Sequence, residues 1–390
     1  MTHHLAPHFA RSTDIQAEIG GRPPDLVDHV GEMRERIERH HPDHLRLVVK
    51  AVVDETPSTR TYRLARADGG PLPPFQAGQY LSVAFDGTTR AYAISSSPAV
   101  PDFYDLTIRR VPRGRISNLV LDTVRVGTSL LTSGPTGTFV HNPLFHGDSV
   151  VFLAGGSGVV PAMSMIRDIV DNRIERDFHL VYASRDDGDV IFKKELEHLA
   201  ASERRITVDH VISGPSPRWT GRTGHLDDAT IASIVGDLRG RMVYVCGPQG
   251  LYPFAATALA SLGHPRRRIR FEANGAPMDI RSDPGWPLDS APSQPTAIRV
   301  EGTQIDTVSG RPLLDALEDG GIGVPALCRS GECGACRVRV VSGSVFNARE
   351  AQLRMSDEAA GYVHSCVAYP LGDVELDVGG GSRSGPFGKI

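Results

Sequence analysis

The residues best equipped for chemistry in this chain are four cysteines. Cys328, Cys333 and Cys336 fall within the nine-residue stretch CRSGECGAC, and Cys366 follows after a further twenty-nine residues. A C-x4-C-x2-C run with one distal Cys is the spacing of a two-iron, two-sulfur site. Four thiolates can also hold zinc, but zinc ribbons favour two C-x2-C knuckles, and only one short pair exists here. Between the ligands lie Ser330, Gly331, Gly334 and Ala335, small residues that let a loop wrap tightly and aim backbone N–H groups at sulfur. Such donors stabilise the reduced, more negative cluster and raise its potential.

A second set of residues has the types that hold a nucleotide. In VVFLAGGSGVVPAMSMI, Gly155, Gly156, Ser157 and Gly158 follow an apolar run, and Pro161 stands where a helix should begin. A glycine turn before a helix N-terminus presents backbone N–H groups and the helix dipole to a pyrophosphate. By itself such a turn is weak evidence, since structural turns look the same. Two further pieces add weight: VYVCGP ends an apolar run with Cys246, Gly247 and Pro248, and RFEAN brings Glu272 to the end of another. Strand C-termini are where doubly wound sheets bind ligands.

The elements that must position these residues change rhythm along the chain. Residues 1–42 are polar, with one helical pattern at 26–40 from Leu26, Val30, Met33 and Ile37. Residues 43–143 carry short alternating runs parted by Gly and Pro, which predicts an antiparallel β-barrel or sandwich. Residues 144–276 alternate apolar strands with helical stretches, the pattern of an α/β doubly wound parallel sheet. Residues 277–295, rich in Pro, Ser and Asp, read as a linker, 296–380 as a small α+β module holding four of the five cysteines, and 381–390 as a tail.

Composition excludes several classes. A net charge of −4 points to neither a nucleic-acid binder nor a membrane-surface protein, and no run of apolar residues reaches spanning length. The N-terminal residues lack a signal-peptide core, which together with an odd cysteine count predicts a soluble cytoplasmic protein in a reducing compartment.

The last module resembles the plant-type ferredoxins over about eighty residues, and the resemblance implies a β-grasp fold for it. From about residue 45 to 275 the glycine turn, VYVCGP and RFEAN, with RAYAISSSP at 90–98 and GRISNLV at 114–120, resemble the ferredoxin–NADP reductase superfamily. The order flavin barrel, nicotinamide domain, ferredoxin is similar to the reductase components of multicomponent oxygenases and to hybrid-cluster-protein reductases. That resemblance implies electron flow from NAD(P)H through flavin and a 2Fe-2S cluster to a terminal oxygenase or other redox metalloprotein. Arg90 would then pair with the flavin pyrophosphate, Tyr92 pack on the isoalloxazine, and Ser96, Gly114, Ser117 and Asn118 supply donors to the diphosphate. Gly155, Gly156, Ser157 and Gly158 would cradle the nicotinamide nucleotide, with Cys246, Gly247, Pro248 and Glu272 near the reacting rings.

Two positions depart from the family pattern. Ala93 stands where a Ser or Thr usually faces flavin N5, and Asn274 where an aromatic often covers the flavin. The stretches at 90–98 and 114–120 favour FAD over FMN. Arg185 could pair with a 2'-phosphate and the adjacent Asp186 and Asp187 would repel one, leaving NADH and NADPH both open with a lean to NADH. His179, His198, His210 and His225 read as core or surface residues, and His364, near Cys366, as packing or hydrogen-bonding rather than ligating. A stand-alone flavin reductase and a redox sensor with negligible turnover, contacting its partner through GEMRERIERHH at 31–41, are the alternatives.

Overall fold

The computed structural model describes residues 35–37, 42, 44–112, 114–273, 275–277 and 279–379. Residues 35–37 are helical; the rest of the 26–40 helix, Asn274 and the 381–390 tail lie outside the described residues.

The first module is a six-stranded antiparallel sheet built from β1 (Leu45–Thr56), β2 (Thr59–Arg66), β3 (Tyr80–Phe85), β4 (Thr88–Ala93), β5 (Tyr104–Arg109) and β6 (Ser129–Thr132) in the order β4-β3-β6-β1-β2-β5. A bridge between Ile94 and Leu106 brings the two edge strands together and closes it into a barrel. Alternation sends Leu47, Val49, Leu64, Leu81, Val83 and Leu106 inward, and the helix Arg115–Thr123 caps the core with Ile116, Val120 and Leu121.

The second module is a parallel sheet of β7 (Ser149–Gly155), β8 (Asp177–Ser184), β9 (Ile206–Ile212), β10 (Arg222–Thr223), β11 (Met242–Cys246) and β12 (Ile269–Glu272), ordered β10-β9-β8-β7-β11-β12. Buried on both faces, β7 and β11 read as unbroken apolar runs, as central parallel strands do. The order reverses between β7 and β11, so a crevice opens where Gly155 and Cys246 end their strands.

The third module is a mixed five-stranded sheet of β13 (Pro295–Val300), β14 (Thr303–Val308), β15 (Arg337–Ser342), β17 (Tyr362–His364) and β19 (Val374–Asp377), ordered β14-β13-β19-β15-β17. A ribbon of β16 (Val345–Asn347) and β18 (Ala368–Pro370) lies apart from it. The helix Leu313–Asp319 buries Leu313, Leu314, Ala316 and Leu317 in the core shared with Cys336 and Cys366. The connection before β13 is anchored rather than free. Ile280 and Trp286 are buried in this same core, and the Trp286 ring meets Phe346 edge-on at 5.3 Å. Among the described residues no helix is long and apolar enough to cross a membrane.

Candidate electron-transfer site

At the switch point the nicotinamide-side residues are brought together by strand register. Ala154, Cys246 and Glu272 lie side by side across β7, β11 and β12. Gly158 starts the helix Val159–Asp171 so close to β11 that a Cβ there would stand 2.0 Å from the Cys246 carbonyl oxygen. Gly155 is also close-packed, a Cβ there standing 2.8 Å from Pro248 Cδ. Gly156, Ser157 and Gly158 form the single turn between β7 and that helix, and the buried Tyr182 hydroxyl donates to the Gly156 carbonyl at 2.9 Å. Tyr252 ties two strand ends: its hydroxyl lies 2.7 Å from the Gly247 carbonyl oxygen and 2.5 Å from that of Glu272, with one proton to share between them.

Glu272 is buried, and its Oε2 has no hydrogen-bond partner among the described residues. Burial, then the charges of Glu332 and Cys328, push its carboxyl well above the ordinary range. A neutral buried carboxyl at a strand C-terminus can donate a proton or receive one back. Arg185 is exposed in the turn after β8. Beside it Asp187 accepts from the Ser216 N–H at 2.6 Å and hydroxyl at 2.9 Å, which hold its carboxyl below the usual range.

On the barrel, Arg90 and Tyr92 are neighbours on β4, each half-buried. Arg90 donates to Thr88 Oγ1 at 2.9 Å and the Thr89 carbonyl at 2.7 Å, and burial followed by the nearby Arg329 lowers its pKa. Tyr92 packs on the barrel core, its phenol pushed up to about 12 by burial. Ala93 pairs with Tyr80 and packs against the core of the nucleotide module. Two expected donors are engaged within the protein. The Ser96 hydroxyl accepts the Asp105 N–H at 3.2 Å, while its carbonyl accepts from Ser164 of the helix Val159–Asp171 at 2.8 Å. Ser117 Oγ accepts the Val111 N–H at 3.2 Å, folding the turn that places Gly114 at the helix start, and Asn118 Oδ1 accepts from Arg110 at 3.3 Å.

The four cysteine sulfurs converge in pairs, Cys328 with Cys333 and Cys336 with Cys366, with Cys328 also meeting Cys366. Two thiols on each side suit two irons. Cys328 Sγ accepts the N–H groups of Ser330 and Cys333, both at 3.4 Å, and Cys333 Sγ that of Ala335 at 3.5 Å. These are the backbone donors that small residues allow. Gly331, at φ +80°, lies so close to the Glu350 carbonyl that a Cβ would stand 2.8 Å from it. His364 Nδ1 donates to the Gly331 carbonyl at 2.7 Å. Cys328, Cys336 and Cys366 are buried, whereas Cys333 is exposed.

The cluster loop faces the barrel. Thr89 Oγ1 donates to the Ala326 carbonyl at 3.0 Å, Thr88 Oγ1 to Glu318 at 3.0 Å, and Thr138 Oγ1 to Glu332 at 2.9 Å. Arg329, buried at φ +54°, pairs with Glu318 at 2.7 Å and Asp315 at 2.6 Å. The buried Tyr80 of β3 lies within electrostatic reach of Cys328, Cys333, Glu272 and Glu332. Tyr80, Thr138, Tyr252, Glu332 and the Arg329 ion pair are the site residues that sequence reading missed.

Fold and site together define a three-module redox protein in which flavin, nicotinamide and iron–sulfur modules meet. The sequence matches the oxidoreductase FAD-binding domain family at residues 44–141, the oxidoreductase NAD-binding domain family at 152–257 and the 2Fe-2S iron-sulfur cluster binding domain family at 298–371. It is 34% identical to the glycine betaine monooxygenase reductase subunit of Pseudomonas aeruginosa, over 86% of this chain and 95% of that one. It is 32% identical to the NADH oxidoreductase HCR of Escherichia coli, over 85% and 97% respectively. The crystal structure of phthalate dioxygenase reductase superposes with a TM-score of 0.64 at 26% identity, covering 86% of this chain and 98% of that one. The chain belongs to the ferredoxin-reductase-type reductase components of oxygenase systems. It is an NAD(P)H-dependent oxidoreductase with FAD and a 2Fe-2S cluster as cofactors.

Proposed function

We propose that this chain takes electrons from NADH and passes them singly to a terminal oxygenase, with the site residues above in the roles that follow. The observation that supports this most directly is the seating of the cluster loop on the barrel, through Thr89 to the Ala326 carbonyl at 3.0 Å and Thr138 to Glu332 at 2.9 Å, while Ala93 of the same barrel packs on the nucleotide module. Bound flavin and cluster supply the redox chemistry, converting a two-electron hydride into single electrons at a potential near roughly −400 mV.

The chain's own residues do the positioning. Gly155, Gly156, Ser157 and Gly158 bind the nucleotide diphosphate, and Cys246, Gly247 and Pro248 floor the nicotinamide pocket. Glu272, neutral in its buried site, holds or moves a proton at its carboxyl oxygen. Arg90 binds the flavin phosphate through its guanidinium and Tyr92 covers the ring, while Gly114 and Asn118 start the helix that faces the diphosphate. Cys328, Cys333, Cys336 and Cys366 ligate the irons. Asp186 and Asp187 at the end of β8 favour NADH by opposing a 2'-phosphate, and the Escherichia coli relative's description as an NADH oxidoreductase agrees. The organic substrate belongs to the partner. Relatives named for glycine betaine and for 3-ketosteroid oxygenation are nearly equal in identity, at 34% and 31%, so a monooxygenase partner is the level the reading reaches.

The test is an anaerobic visible and EPR titration with NADH and then NADPH, with the released flavin identified by chromatography. Bleaching of the flavin and a reduced two-iron signal with NADH at lower concentration than NADPH is expected. Cluster reduction by dithionite but by neither nucleotide would refute hydride entry at this site.

A further inference from the structure

Where the chain passes from barrel to nucleotide module it leaves two large apolar side chains in water. Leu144 and Phe145, on the short helix Pro143–His146, are 84% and 75% exposed. Adjacent exposed apolar groups of this size on a soluble protein mark interaction surfaces when a polar rim surrounds them.

The rim here is basic. His146 closes the same helix, and its Nδ1 accepts the Tyr244 hydroxyl at 2.6 Å, fastening the helix to β11. Tyr244 lies opposite Arg270 in the β11–β12 register, so Arg270 stands beside that junction, and it is exposed. Arg268 donates to the Gly240 carbonyl at 3.0 Å, at the start of the same two strands. The charges of Arg270 and Arg268 both reach His146, adding to burial in lowering its pKa. Among the described residues Arg266, Arg267, Arg268 and Arg270 form no salt bridge, although most arginines elsewhere on this chain are paired with a carboxylate. An unpaired basic patch on a chain of net charge −4 gives the molecule a directional field.

The patch also adjoins the cluster. From Thr138 the chain runs directly to Leu144, and Thr138 holds Glu332, the neighbour of the exposed ligand Cys333, at 2.9 Å. Arg270 lies on β12 opposite Tyr244, which holds His146, and two residues before Glu272 at the strand end beside Cys246.

We propose that Leu144 and Phe145, with Arg268 and Arg270, form the docking face for the electron-accepting protein, which presents an apolar spot ringed by carboxylates. The inference rests on the reading that the chain reduces a protein partner. A small apolar centre gives contact without tight binding, and the arginines steer an acidic partner so that its redox centre arrives near the exposed edge of the cluster.

The test uses the full-length holoprotein with NADH under anaerobic conditions and three acceptors: ferricyanide, acidic rubredoxin and basic cytochrome c. The double variant Arg268→Glu/Arg270→Glu is expected to lower kcat/KM for rubredoxin by about tenfold or more at low salt. The deficit should shrink as salt rises, and cytochrome c reduction should hold or quicken. Leu144→Ser/Phe145→Ser is expected to raise KM for rubredoxin with kcat kept. NADH-driven flavin bleaching and the reduced-cluster EPR signal should match wild type in both. Unchanged rubredoxin kinetics in both variants, or equal slowing of flavin bleaching and rubredoxin reduction, would overturn the docking face. So would loss of a wild-type dimer in Leu144→Ser/Phe145→Ser, since a second copy would then be the occupant. Wild-type protein that reduces ferricyanide but neither protein also refutes it while leaving NADH entry intact; failure of NADH to reduce even the flavin would instead refute the proposed function.

Discussion

Replacing Gly158 with Ala tests whether the nicotinamide crevice depends on backbone lying directly on backbone. The added Cβ would stand 2.0 Å from the Cys246 carbonyl oxygen, 2.3 Å from its carbon and 2.6 Å from the Gly247 nitrogen. A carbon approaches a carbonyl oxygen to about 3.3 Å, so helix and strand end must part by roughly 1.3 Å. No flexible side-chain tip can absorb that, because every atom struck is main chain. Gly158 has ordinary helical angles, φ −63° and ψ −8°, so the whole effect is steric rather than conformational. Overpacking a rigid core costs about 1–3 kcal/mol, a fall of about 2–12 °C in the Tm of a module this size. Displacing reacting groups by an ångström costs about 10²-fold in rate. In stopped-flow reduction by NADH the flavin of Gly158→Ala should therefore bleach about a hundredfold more slowly, while dithionite still gives the wild-type cluster spectrum. Gly250→Ala is the control. It has nearly the same angles, φ −63° and ψ −19°, before the helix Leu251–Ser261, and nothing lies within 4 Å of its Cβ. Wild-type Tm and bleaching rate in Gly158→Ala would refute the reasoning, as would equal damage in Gly250→Ala.

Cys328→Ser should abolish the reduced two-iron EPR signal and rubredoxin reduction while NADH still bleaches the flavin. Arg329→Met leaves Glu318, only 16% exposed, without its cation; breaking a buried pair this way costs about 3–5 kcal/mol, read as earlier loss of cluster absorbance on heating. Tyr252→Phe removes the one hydroxyl proton shared by the Gly247 and Glu272 carbonyls, a loss of about 1 kcal/mol, and should slow NADH-driven bleaching without altering the flavin spectrum. For Glu272 the folded pKa is raised above the ordinary 4.5. The native state therefore holds an extra proton in the window from 4.5 up to that raised value, and unfolding free energy falls as pH climbs through it. Denaturant titrations of wild type and Glu272→Gln at pH 5 and pH 8 should show wild type losing the more on going to pH 8; parallel losses would contradict a raised carboxyl.

What was legible in the sequence was local. The cysteine spacing, the glycine turn after β7 and the Cys-Gly-Pro after β11 each sit within a few consecutive residues, and period-2 against βαβ rhythm separates the barrel from the parallel sheet. The segment 277–295 hid its role because Ile280 and Trp286 follow no period among its Pro, Ser and Asp residues. Only the core shows that both are buried against Tyr369 and Phe346. Ser96 and Ser117 carry a structural demand that their motifs do not show: each hydroxyl oxygen accepts a backbone N–H, of Asp105 and of Val111.

The contacts that join the modules were illegible for a stricter reason. Thr88 and Glu318 are 230 positions apart and Thr138 and Glu332 are 194, and neither threonine differs in sequence from any other strand or loop threonine. Their role follows from Arg329. A long cation takes the left-handed region, φ +54°, at a cost, and persists there because Glu318 and Asp315 hold its guanidinium. Glu318 is then fixed by Arg329 on one side and by Thr88 of β4 on the other, so the residue after Cys328 clamps the cluster loop to the strand that bears Arg90 and Tyr92. CRSGECGAC thus serves two surfaces at once. Its first half, through Cys328 and Arg329, is locked against the barrel, and its second half is held there by Glu332 on Thr138 while leaving Cys333 exposed.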